Sequence, residues 1–74
     1  MKALHDGIVY DLNLPLKILR GITAQGEFCI ELQYSLNVRV ASDFLLYPNQ
    51  KSRDDAFGKM VKFLENSKSL VHLD

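Results

Sequence analysis

From Glu27 to Val40 the chain alternates. Every even position is apolar: Phe28, Ile30, Leu32, Tyr34, Leu36, Val38 and Val40. Of the odd positions only Cys29 is not plainly polar. Successive strand side chains point to opposite faces, so the pattern predicts a sheet with one buried and one wet face. The stretch would run roughly 46 Å if fully extended, far beyond an ordinary strand. It is therefore expected to turn, with Ser35 to Asn37 as the corner because Ser and Asn are turn formers. A helix over 36–46 fits poorly, since its apolar residues would fall on all sides. Phe44 to Tyr47 reads as a further strand or as a buried lead into Pro48-Asn49.

Upstream, His5-Asp6-Gly7 is turn-like. Ile8, Tyr10 and Leu12 then alternate against Val9, Asp11 and Asn13, a strand pattern that Pro15 interrupts, because proline donates no ladder hydrogen bond. Leu16 to Thr23 is a second strand, with Gly21 marking a bulge or a close backbone approach. Ala24-Gln25-Gly26 reads as a hairpin loop in which Gly26 supplies a positive φ.

Downstream the period changes. Ala56, Phe57, Met60, Val61, Phe63 and Leu64 fill an arc of about 160° at helical spacing. Ser52 reads as the N-cap, with Asp55 three residues on as a capping-box partner. Asp54 and Asp55 then fall in the first turn, where the helix dipole favours negative charge. Asp55 and Lys59 are spaced for an i,i+4 pair. Asn66-Ser67 ends the helix, and Leu70 to Leu73 is a short apolar tail able to pair as a last strand.

Composition narrows the class. Seventy-four residues make one domain, spanning 1–74, with no repeat, linker or low-complexity segment. Nine basic and nine acidic residues cancel, which argues against a partner held mainly by charge, such as bulk nucleic acid or an anionic membrane. A single cysteine cannot staple the chain internally. The N-terminus turns polar before a signal-like apolar run develops, and no stretch approaches the roughly 18 apolar residues of a membrane span. The expected setting is soluble, reducing and cytoplasmic.

Candidate chemistry is thin. Cys29 has Glu27 and Glu31 as same-face strand neighbours, and two carboxylates disfavour a thiolate. His5 and His72 stand at opposite ends, with no Cys/His cluster to complete a metal site. Gly21 to Gly26 has the glycine spacing of a phosphate-binding loop, but Glu27 stands where the lysine is required. Asp54-Asp55 is explained by helix capping. No serine has an evident histidine partner. Catalytic residues, cofactor-binding residues and metal ligands are each read as none, and an enzyme is not favoured.

Geometry adds one positive signal. A sheet of four strands is roughly 19 Å wide, and a helix with its side chains about 10–12 Å. One helix leaves apolar sheet surface uncovered, and Ile8, Tyr10, Leu12, Ile18, Ile22, Phe28, Ile30, Leu32, Val38 and Val40 are all assigned to that face. The surplus points to a homodimer or to another bound protein; a compact monomer sealed by its own tail is the competing reading.

The expected fold is therefore α+β: an antiparallel β-meander sheet of three to five strands followed by one C-terminal α-helix packed on one face. The expected function is a non-catalytic protein-binding module, a small regulator, inhibitor or accessory subunit, self-associating through its sheet. Leu70, Val71, Leu73, Ile8, Tyr10 and Val38 are the interface candidates. One alternative is a nucleic-acid binder using Lys17, Arg20, Arg39, Lys51 and Arg53. Another is a small-molecule binder or enzyme with a pocket between sheet and helix or at a dimer interface, using Tyr10, Tyr34, Tyr47 and His72. No cofactor and no membrane contact is expected.

Overall fold

The strand-then-helix order of the sequence is the order of the elements in the computed structural model, which describes residues 2–67. The strands are β1 (Lys2–His5), β2 (Ile8–Asp11), β3 (Lys17–Ile22), β4 (Phe28–Leu36) and β5 (Arg39–Tyr47), and α1 spans Gln50–Asn66. All pairings are antiparallel, and the fold is α+β. The strands form two sheets rather than one: the β1–β2 hairpin, and a meander in the order β3-β4-β5.

Local chemistry explains the turns. Asp6 and Gly7, at φ 48° and 77°, join β1 to β2. Two consecutive left-handed residues suit the right-handed twist of a two-residue hairpin, and Asp-Gly adopts them at low cost. β1 itself was not foreseen, since His5 reads as turn and is a strand residue paired with Ile8. The Thr23-to-Glu27 hairpin forms as expected. Gly26 sits at φ 83°, its N–H donates to the Thr23 carbonyl at 2.9 Å, and the Glu27 N–H donates to Thr23 Oγ1 at 3.1 Å. Gly21 marks no bulge. It pairs in register with Cys29, and a Cβ there would make an ordinary 3.8 Å contact.

The corner of the long alternating stretch lies at Asn37–Val38, and Asn37 takes φ 58°. Two turn residues place Leu36 opposite Arg39, and cross-strand partners share a face. The parity of the buried positions therefore switches: even residues face the core along β4, odd residues along β5. Leu45 and Tyr47 lie with Ile30 and Phe28 on the core side, while Val40, Phe44 and Leu46 lie on the reverse. Val40 is thus not a core residue, and Val38 is a fully exposed turn residue.

The core is Leu12, Ile30, Leu32, Leu45 and Met60, flanked by Ala3, Tyr10, Ile18, Tyr34, Tyr47, Ala56 and Phe57. Ile30, Leu32 and Leu45 have no exposed surface, and burying each contributes about 2 kcal/mol. α1 packs against all three strands of the meander. The β1–β2 hairpin and the residue that follows it add Ala3, Tyr10 and Leu12 to the core. Part of the apolar set assigned to this face is packed within the chain, while Ile8 and Ile22 stay exposed, at 54% and 60%. Tyr10 and Leu12 belong to the cover, not to the sheet being covered.

The helix begins earlier than its apolar arc suggests. Asn49 is the N-cap, and its side-chain oxygen accepts from the Ser52 N–H at 2.8 Å. Ser52 is therefore inside α1, and no acidic residue falls in the first turn. Asp55 pairs with Lys51, not Lys59, at 2.9 Å. Asp54 has a structural role described below. The last described residue, Ser67, caps the C-terminus, donating its N–H to the Phe63 carbonyl. The tail with Leu70, Val71 and Leu73, and His72, lies outside the described residues.

Candidate interaction surface

The meander has a second face, turned away from α1 and the hairpin. Its register makes a grid. Gly21, Cys29 and Leu46 form one row; Leu19, Glu31 and Phe44 the next; Lys17, Gln33 and Ser42 the third; Ser35 and Val40 the fourth. Four of these residues are exposed apolar side chains: Leu19 at 39%, Phe44 at 53%, Leu46 at 39% and Val40 at 64%. Cys29, at 3% exposed, lies sunk between them.

A polar network crosses the middle of this face. Glu31 Oε2 accepts from Gln33 Nε2 at 3.0 Å and from Ser42 Oγ at 2.7 Å. These two hydrogen bonds stabilise the charged form and hold the carboxyl below the usual carboxylate range, the Ser42 bond contributing most. Glu31 in turn helps raise the Cys29 thiol. Burial is the larger cause there, Glu27 adds to it, and Arg53 opposes it. A thiol with a raised pKa is a poor nucleophile, as the two flanking carboxylates lead one to expect.

On the core side, Arg53 anchors helix to sheet. It is buried, donates Nη1 to the Gly21 carbonyl at 2.8 Å, and lies 5.2 Å from the centre of the Phe28 ring. Its Nε and Nη2 reach Asp54 Oδ1 at 3.1 and 3.0 Å. Arg20 stacks on Phe57 and approaches the same oxygen at 3.6 Å. Of the basic residues named for a nucleic-acid surface, Arg20 and Arg53 are thus matched with Asp54, and Lys51 with Asp55. Lys17 and Arg39 remain exposed on opposite faces of the sheet. No shared basic stripe results.

Among the described residues, a larger and a smaller groove lie against α1. The larger, of about 540 Å³, runs between the β2–β3 connection and the helix, lined by Leu12, Pro15, Ile18, Phe57, Met60 and Leu64 among others. It is apolar and contains none of the tyrosines named as pocket groups. The smaller, of about 310 Å³, lies between β1 and α1 and includes His5, Tyr47, Ser52, Asp55 and Lys59. The His5 and Tyr47 rings are 4.6 Å apart. His5 Nε2 is buried and has no hydrogen bond; Asp6 Oδ2, at 3.5 Å, is too distant for one. Burial raises the Tyr47 phenol, as it does that of Tyr34, where the neighbouring Asp43 adds to the effect. Among the described residues, no three His, Cys, Asp or Glu side chains gather where a metal could bind, and no helix is long and apolar enough to cross a membrane.

Of the interface candidates inside the described residues, Ile8 is exposed on the hairpin, Tyr10 packs against the core, and Val38 projects from the β4–β5 turn. Ile8 and Tyr10 belong to β2, and Val38 to the turn after β4. Leu19, Phe44 and Leu46 share the second face of the meander, and Phe44 and Leu46 are not legible as such in the sequence because the turn reverses their parity. Comparison with known protein families, with curated proteins and with solved structures finds no match to this chain.

Proposed function

We propose that the chain is a non-catalytic protein-binding module, a small regulator, inhibitor or accessory subunit, that works through the face of the β3–β4–β5 sheet that no other element among the described residues covers. The observation carrying this reading is the cluster of Leu19, Phe44 and Leu46 around the sunken Cys29. An antiparallel sheet with one wet face is ordinarily polar on that face. Here one end of it is apolar, and contiguous apolar patches rimmed by polar groups mark interaction surfaces. Balanced charge fits the same reading, since a chain near neutrality resists association less than a strongly charged one.

The test is light scattering on a sizing column across a concentration series, paired with binding of a hydrophobic dye, for the wild type and for Phe44→Ser. The wild type should either associate or bind dye, and Phe44→Ser should lose that behaviour while keeping its circular dichroism. A wild type that stays monomeric and binds no dye defeats the reading.

A further inference from the structure

Resting on that reading, we infer that the partner at the uncovered face is a second copy of this chain, packed sheet to sheet about a two-fold axis that pairs Lys17 of each copy with Glu31 of the other. The grid of rows sets the geometry. Glu31 lies within the apolar cluster, so any contact that places one Glu31 row upon the other sets two carboxylates face to face and opposes association. An axis crossing the strands between the Glu31 row and the Gln33 row avoids this. It exchanges the second and third rows, and the first and fourth.

Under that exchange the surfaces complement each other. Leu46 meets Val40 of the second copy, which gives the isolated exposed valine of the fourth row an apolar neighbour. Phe44 lies over the small Ser42. Leu19 meets the aliphatic stem of Lys17, whose ammonium reaches Glu31 in the adjacent strand, about 5 Å to the side. Within the chain Lys17 and Glu31 make no ion pair among the described residues, and both donors to Glu31 converge on Oε2. Oε1 is left for the incoming cation. The contact is isologous, so the pair forms twice.

The area is that of a weak dimer. Three strands about 4.8 Å apart and four rows about 6.8 Å apart present a face of roughly 14 × 25 Å. Two such faces together cover about 700 Å² in projection, the scale of a weak, reversible contact. Aligned sheets pack about 10 Å apart with strands within about 30° of each other, which leaves the hairpins at either end free.

Charge reversal tests the pairing by sedimentation equilibrium at low salt, with circular dichroism as the fold control. K17E and E31K should each weaken dimerisation by about tenfold or more, and the double variant K17E/E31K should return to within about threefold of wild type. If E31K does not fold, E31Q replaces it and should weaken the dimer while removing most of its salt dependence. Reversals without effect, or a double variant no better than the singles, overturn this pairing. A wild type that is monomeric at every concentration yet binds dye through Phe44 overturns the second copy as partner but leaves the protein-binding reading intact. Loss of both association and dye binding overturns that reading as well.

Discussion

Arg53 donates its Nη1 hydrogen to the carbonyl oxygen of Gly21 at 2.8 Å, tying the second turn of α1 to the β3 edge of the sheet across 32 positions of chain. The guanidinium can be buried because every side of it is matched: the Gly21 carbonyl, the Asp54 carboxylate and the face of Phe28. Only a planar, always-charged group fits this arrangement, since lysine offers neither the fork nor the stacking surface.

This relationship gives the first prediction. Arg53→Ala should destabilise the fold by about 2 kcal/mol or more, because it leaves the carbonyl and part of Asp54 without partners and opens space beside Phe28. Arg53→Lys should recover only part of that loss. Urea denaturation of the two variants beside the wild type measures both. A loss below about 0.5 kcal/mol for Arg53→Ala would show the anchor to be dispensable.

The helix start supplies the second. Asn49 accepts from the Ser52 N–H, so Asn49→Ala should cost about 1 kcal/mol. Ser52→Ala should cost much less, because Ser52 provides a backbone donor that alanine retains. If Ser52 were the cap, the order of the two would be reversed. Thermal melts of the two single variants decide between them.

The third concerns pH. The folded-state pKa of Glu31 lies below its unfolded value because Ser42 and Gln33 hydrogen-bond the charged form. Its contribution to stability is therefore complete above an unfolded pKa of about 4.3 and is lost as pH falls through the lower folded value. Glu31→Gln should be less stable than wild type at pH 7, and the gap should narrow as pH falls to about 3. Denaturation midpoints at one protein concentration across that range give the comparison. A gap independent of pH would mean that the two hydrogen bonds do not favour the charged form.

Most local elements, though not β1, are legible in the residues near them. Alternation marks β2, β3 and β4, the 3.6-residue period marks α1, and Gly26 marks its hairpin, because side-chain direction and turn conformation depend on neighbours a few positions away. The helix start is missed by three residues because Asn49 and Ser52 are both good caps, and only the path of the chain out of β5 selects between them. Arg53 reads as one more charged residue on a wet helix face, since nothing local reveals that Gly21, Phe28 and Asp54 converge on it.

What the residues determine by themselves is thus an α+β chain, apolar enough for one core, with strands and helix in their observed order. The tertiary structure alone decided which face is left bare among the described residues. The two-residue turn at Asn37–Val38 reversed the parity of β5, sending Leu45 inward and Phe44 and Leu46 outward. The β1–β2 hairpin brought Ala3 and Tyr10 against the core, while Ile22 on the same face stayed 60% exposed. The physical reason is that alternation gives the two sides of a strand but not which side meets the core. That assignment depends on register and on what packs above, and both are fixed by contacts between residues far apart in the chain.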